Sequence, residues 1–314
     1  MSGKENKFQR NGDVGVLFGK IRRWVIRIFF YLLLFSLSFV FLYPFIIMIV
    51  DSFKSDADLA NITVKWIPEK LVWNNYVIAF KQLSYQIFVK NSLVMSVIAT
   101  IGHVLSCSFV GYGFARYRFR GRGVLFGIVI LSMLVPIQVL IFPLYIQYSK
   151  WGWLDSYLPL LVPTFFGYGL NGAFFIFLFR QFFSSLPYEM EEAARIDGCG
   201  ALRAFFKIML PMSKSSLLVA TVLSFVWHWN DYFEPNMYIR TISKQLLPSR
   251  LPLLYSLLNS EDSLEAMVEE GGLIFNEAML MAATFLVILP VLIVYAFLQK
   301  KFMEGIERSG LTGM

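Results

Sequence analysis

The sequence is poor in the residues from which catalytic and metal centres are built. It has two cysteines, Cys107 and Cys199, and two histidines, His103 and His228. Two cysteines cannot staple a small secreted fold, and these fall in different settings, Cys107 in an apolar run and Cys199 in a polar one. The histidines lie in separate apolar runs without ligand-like spacing, which argues against a resident metal. No Walker-type phosphate loop occurs, so no segment is shaped to cradle ATP phosphates and no cofactor is expected on this chain. Ser106 and His103 sit on neighbouring turns, but an intramembrane hydrolase would also need an oxyanion-type motif, and none accompanies them. Charge is scarce too: 16% of residues are charged against 57% hydrophobic, a balance that excludes an ordinary soluble domain.

What the chain does have is long apolar runs. A hydrocarbon core about 30 Å thick takes about 20 apolar residues per spanning helix. Six segments meet that length: Ile28 to Val50, Ser92 to Phe114, Val124 to Tyr148, Leu158 to Phe179, Ser216 to Met237, and Leu273 to Leu298. The expected fold is all-α, a polytopic membrane protein with six transmembrane helices. The first run is too long for a signal peptide, and Tyr43-Pro44-Phe45 offers no small-residue cleavage pattern, so it reads as a retained anchor.

Basic residues orient these runs. Most of the 28 lysines and arginines fall in residues 1–27, between the second and third runs, around residues 181–214, or in residues 300–314. The compact cluster Arg116, Arg118, Arg120 and Arg122 weighs most, because short loops dominate the positive-inside rule. Both termini are therefore expected in the cytoplasm. The resulting layout is a basic tail (1–27), a first transmembrane helix (28–50), an extracytoplasmic segment (51–91), a core (92–299) and a cytoplasmic tail (300–314). The core contains a cytoplasmic loop at 181–214 and an extracytoplasmic loop at 240–272. Contact with lipid headgroups accounts for the net charge of +7, and no nucleic acid is called for. The outer loop is acidic at Glu261, Asp262, Glu265, Glu269 and Glu270, which fits a solvated face or a docking surface for a soluble partner. A secondary transporter would carry coupling ionisable groups near mid-membrane, whereas Asp231, Glu234 and Glu277 gather toward the outer ends of their runs.

The loop at 181–214 has its own physical reading. Pro187 in a first turn, with Glu189, Glu191 and Glu192 near the positive end of the dipole, predicts a short helix over about Leu186 to Asp197. Gly198 supplies a left-handed stop, and a second helix over about Ala201 to Met209 is predicted to end at Pro211. Small side chains at Ala193 and Ala194 would let another protein approach closely, and Glu191 and Arg195, four apart, suit a local ion pair. An ordinary amphipathic surface helix is the plainer alternative.

Polar and strained positions inside the runs come next, since lipid tolerates them poorly. Gly167-Tyr168-Gly169 and Asn171-Gly172 sit near the middle of the fourth run, where glycines permit close packing or a kink beside a pathway and the Asn171 amide needs a partner. Pro136, Gln138 and Pro143 suggest a bent third helix with one polar side. Trp227 to Tyr232 mixes aromatics with amide and carboxylate groups. An interfacial aromatic belt explains it, and so would a carbohydrate site, which wants flat rings beside hydrogen-bonding groups. The substrate-pathway candidates are thus Tyr168, Asn171, Gln138, Trp229 and Asn230.

Glu192-Ala193-Ala194, Gly198 and then Ile208, Leu210 and Pro211 in fixed register resemble the cytoplasmic coupling loop of bacterial binding-protein-dependent ABC importers. Tyr43-Pro44, Ser52-Phe53-Lys54, Asn91-Ser92, Gly111 to Arg116, Pro136 and Trp229-Asn230-Asp231 together look like the sugar-importer branch, nearest the maltose-type inner-membrane permease subunit. The resemblance runs from about Tyr43 to Ile306. It implies the type I importer permease (MetI-like) fold in the bacterial plasma membrane, a transport subunit rather than an enzyme. It also implies a second homologous permease, two ATPase subunits carrying ATP and Mg, and an extracytoplasmic sugar-binding protein. Carried over by position, Glu192, Ala193, Ala194, Asp197 and Gly198 would seat in an ATPase groove, while Ile208, Leu210 and Pro211 would fix the loop against the membrane core. An importer of a non-sugar solute remains the alternative. The outer loop at 240–272 is long for the short-form subunit.

Overall fold

The computed structural model describes residues 5–61, 63–64, 66–196, 198–259 and 275–311. The described residues are mostly helical, and no strand occurs among them. It divides into two units, Met1–Val72 and Trp73–Met314.

The first unit is dominated by α1 (Glu5–Ser52), a single helix of 48 residues that runs through Pro44. The segment expected to be a basic tail is thus continuous with the first apolar helix. Outside it, Ser55 opens the short α2 (Asp56–Ala60) with a reciprocal capping box, its hydroxyl accepting from Asp58 N–H while Asp58 accepts from Ser55 N–H. The backbone hydrogen bond from Ser55 holds the Asp58 carboxyl below the usual range. Val72 N–H donates to Phe53 O at 2.9 Å, closing the segment between them into a loop.

In the second unit, α3 (Asn74–Gln82) leads into α4 (Tyr85–Arg116). Then follow α5 (Arg122–Ser132), α6 (Ile137–Lys150), α7 (Leu158–Leu161) with a 3-10 turn (Val162–Phe166), and α8 (Gly172–Ser185). Next come α9 (Glu189–Ile196), α10 (Ala201–Ala204), a π turn (Phe205–Met209) and α11 (Leu210–Met212). The chain continues through α12 (Lys214–Asn230), α13 (Phe233–Tyr238) and α14 (Leu251–Asn259) to α15 (Glu277–Leu311). The central packing order is α8, α4, α12, α15, with α3 against α15. Gly111 is what lets α4 and α8 meet: a Cβ there would lie 2.7 Å from Phe179 Cβ and 2.9 Å from Arg180 N.

Among the described residues, three helical stretches are long and apolar enough to cross a membrane: Arg22–Ser52, Tyr85–Arg116 and Glu277–Lys300. Two bent pairs could bring that to five, Arg122–Ser132 with Ile137–Lys150 at 100° and Ala201–Met212 with Lys214–Asn230 at 81°. Gly172–Ser185 is apolar but shorter.

Several of the apolar runs are therefore broken, the third as its prolines suggested. The third turns before Pro136, whose ring disfavours helical backbone in the residue ahead of it. The expected fourth helix from Leu158 is interrupted by positive φ at Gly167, Gly169 and Asn171, and its apolar helix begins at Gly172. The fifth stops at Asn230, and Phe233–Tyr238 is a separate helix. Pro211 does not end its helix. A π turn precedes it, so the chain carries past a proline that would clash with the carbonyl a turn back, and the bend falls at Ser213.

Candidate functional site

The loop between α8 and α12 is anchored by Arg116, at the end of α4. Its side chain is buried, and Nη2 donates to Leu186 O at 2.7 Å and Pro187 O at 3.4 Å. The guanidinium lies 4.3 Å from the centre of the Tyr188 ring, and Nε is 3.9 Å from Glu191 Oε2. An arginine counted in the sequence as a topology signal is thus the residue on which α9 is seated. Glu191 was expected to pair with Arg195, whose side chain is not among those described. Beneath the loop, Phe179, Phe183, Phe205 and Tyr112 form one aromatic cluster, with Ile208 and Leu210 packed against it. Pro211 is exposed.

This seating gives α9 two faces. Glu191 and Ala194 point inward, only 4% and 2% exposed, while Glu192, Ala193 and Ile196 are exposed. Ala194, expected to face a partner, instead fits against the body of the chain, where a small side chain is required for a different reason. Asp197 lies outside the described residues. Gly198 takes φ 75°, and Cys199 N–H donates back to Ala194 O at 2.9 Å, the long bond of a Schellman cap. The exposed side of the loop therefore carries one carboxylate, one small residue and apolar side chains, Ile196 and Leu202 among them.

The second feature is a cavity of about 1000 Å3 bounded by α5, α6, the break before α8 and the end of α12. Tyr168 and Asn171 line it, together with Trp227, His228, Asp231 and Glu234. The other pathway candidates are elsewhere. Gln138 and Asn230 are exposed and not part of the wall. Trp229 is 1% exposed in the core beside Phe225 and Met279, and its indole N–H donates to Val287 O at 3.1 Å. It is neither in an aromatic belt nor at the cavity. Asn171 sits at φ 59° at the start of α8, a left-handed position asparagine tolerates well, and makes no side-chain cap.

His228 of the cavity wall also belongs to a pairing that the sequence hid. His103 and His228, 125 positions apart, stack with ring centres 5.0 Å apart, and His228 Nε2 lies 3.0 Å from His103 Nδ1. His103 Nε2 is 3.3 Å from Tyr168 O. A carbonyl only accepts, so His103 Nε2 carries the hydrogen. In the neutral ring Nδ1 then accepts, and His228 Nε2 donates to it. Ser106 adds a second tie, donating to Thr164 O at 2.6 Å and accepting from Gly167 N–H at 3.1 Å. The break before α8 is thereby fastened to α4 and α12. No group of three or more potential metal ligands occurs among the described residues.

Elsewhere, Asp155 ties two loops together. Its carboxylate accepts from Thr241 Oγ1 at 2.7 Å, Thr241 N–H at 2.8 Å and Arg240 N–H at 3.1 Å. The Thr241 hydroxyl is the main reason its carboxyl is held well below the usual range. Asn91 and Ser92 at the start of the second apolar run hold the described part of the 240–272 loop. Asn91 Nδ2 donates to Ser243 O, and Ser92 Oγ accepts from Leu247 N–H at 2.7 Å. The acidic positions from Glu261 to Glu270 lie outside the described residues.

Comparison with known proteins places this arrangement. The family described as binding-protein-dependent transport system inner membrane component matches residues 107–306. The chain belongs to that family. It is a transport component of a membrane system rather than a catalyst. This permease is 31% identical to a probable ABC transporter permease protein of Pyrococcus horikoshii, over 91% of this chain and 97% of that one. It is 29% identical to the arabinooligosaccharides transport system permease protein AraQ of Halalkalibacterium halodurans, over 88% and 93%. Its fold matches a chain from the crystal structure of a bacterial ABC transporter involved in the import of the acidic polysaccharide alginate. The TM-score is 0.72 and the identity 26%, covering 88% of this permease and 96% of that chain.

Proposed function

We propose that this permease is one half of the membrane pathway of an ATP-driven oligosaccharide importer. The observation that carries the reading is the two-faced α9, seated on Arg116 by its inner side while Glu192, Ala193 and Ile196 face outward. A rigidly seated helix with a free outer face suits a lever gripped by another protein. The partner is an ATPase subunit, one of two, which bind ATP and Mg; a second homologous permease completes the pathway, and an extracytoplasmic binding protein delivers the sugar. The similarity to AraQ supports an oligosaccharide as cargo.

In this reading α1, α4, the bent α5–α6, α8, α12 and α15 are six crossings, with both termini in the cytoplasm. Closure of the ATPase pair moves α9, and Arg116 passes that motion to α4. Because α4 also holds the break before α8 through His103 and Ser106, a shift at the loop reaches the cavity wall along one helix. Tyr168 and Asn171 are the sugar-facing candidates that keep their place in the wall.

The test is copurification and uptake. Glu192→Lys combined with Ala193→Trp changes only the outer face of α9 and is expected to leave the protein in the membrane while removing ATPase binding and sugar uptake. Normal copurification with normal uptake in that variant would overturn the lever reading.

A further inference from the structure

The cavity has an unusual wall for a pathway that many kinds of solute could enter. Glu234 lines it and is 8% exposed, and its Oε1 has no hydrogen-bond partner. Its backbone is fixed from behind. Asp231 Oδ1 accepts from Phe233 N–H at 3.1 Å and Glu234 N–H at 3.3 Å, which caps α13 and sets its first turn against the cavity. None of the described residues lining the cavity is Lys or Arg. Aromatic faces are supplied by Tyr168, Phe166 and Trp227.

A buried acceptor without a donor is costly, and it is relieved by any ligand that brings an O–H. A phosphate or carboxylate brings only more acceptors and negative charge, with no cation in the wall to meet them and two carboxyl groups close by. Neutral saccharides match on both counts, since their hydroxyls donate and their C–H faces pack on aromatic rings. We propose that Glu234 is a specificity-determining residue of this permease, accepting a hydroxyl hydrogen bond from a neutral saccharide in the cavity and turning away solutes that carry phosphate or carboxylate groups. This selectivity rests on the importer reading above and narrows its cargo.

The test uses the whole transporter, purified as the assembled complex, in equilibrium dialysis against labelled arabinotriose, xylotriose, maltotriose and trigalacturonate. At least one neutral trisaccharide is expected to be retained about tenfold more tightly than trigalacturonate, the size of effect one buried hydrogen bond commands. Glu234→Gln should erode that ratio and Glu234→Lys should invert it, while Glu234→Asp keeps the preference. Equal retention of neutral and acidic trisaccharides by the unmodified transporter, retention of none, or an unchanged ratio in Glu234→Gln would overturn the proposal. If the Gln and Lys variants fail to assemble, the ratio in the unmodified transporter decides alone. Uptake by intact cells separates the two claims: import of none of the panel sinks the importer reading, whereas equal import of neutral and acidic members sinks only the selectivity.

Discussion

Around the Glu-Ala-Ala loop, groups from α4, α9 and the segment between α8 and α9 close on one arginine, whereas around the cavity three apolar runs stop short and leave bends facing open space. The first region is tied by charge and aromatic packing: Arg116 to Leu186 O, Glu191 and Tyr188, over the cluster of Phe179, Phe183 and Phe205. The second is tied by single hydrogen bonds from His103, Ser106 and Asp231. One region is held at several points on one side chain, the other at single points beside open space.

The sharpest way to break that contrast is at Arg116. Arg116→Ala removes the buried ion pair and both carbonyl contacts, and breaking a buried pair from one side costs about 3–5 kcal/mol. Uptake should be lost while the protein remains in the membrane, and α9 should become accessible to protease. Arg116→Lys keeps charge without the planar fork and should rescue only in part. Full uptake in the Ala variant would show that the loop does not depend on this seat.

Gly111→Leu should come next, because overpacking a tight helix contact costs about 1–3 kcal/mol and here the obstruction includes backbone. The expected readout is less assembled protein and a lower melting temperature. An unchanged yield would mean that α4 and α8 separate easily.

At the cavity, Asn171→Gly and Asn171→Ala separate backbone from side chain. Glycine accepts the left-handed backbone, whereas alanine in that region costs about 1 kcal/mol. If the amide touches sugar, both should lower uptake per assembled transporter. If only the turn matters, glycine should behave as the unmodified protein and alanine should assemble less.

The smallest effect is expected at Asp155. A carboxyl with a depressed folded value contributes stability above its unfolded value, about 3.9, and loses that contribution as pH falls through the folded value. The tie between the loops should therefore be unchanged from pH 7 to 5 and weaken only in stronger acid, as read by exchange of the Thr241 amide. Loosening already at pH 6 would contradict the bonding described.

The two regions also differ in how much of them can be read from the chain. The loop announces itself because its parts are contiguous: Glu192 to Pro211 lie within one stretch, and capping rules place Gly198 correctly at a left-handed stop. Its seat does not, since Arg116 and Glu191 are far apart in sequence and a basic cluster looks the same whether it marks topology or holds a helix. Hydropathy finds apolar runs and is blind to bends inside them: Pro136 and Pro143 announced the bend in the third run and the glycines at 167–172 left a kink open, whereas the break at residues 231–232 carried no such signal. Trp229 was misassigned because an indole beside amide residues reads as interfacial until its partner, the Val287 carbonyl, is seen. The histidine pair had no local signal at all.

The bonds from His228 to His103 to the Tyr168 carbonyl have a polarity, every hydrogen pointing toward the break before α8. A chain of this kind ends on an acceptor that cannot be reversed. Moving the proton to the other nitrogen of either ring would set two hydrogens or two lone pairs face to face, so the relay works only as a whole. The Tyr168 end of the break can thus swing free only by cutting the relay at its last member, which leaves the two imidazoles still clasped to each other and ready to recapture the carbonyl when it returns.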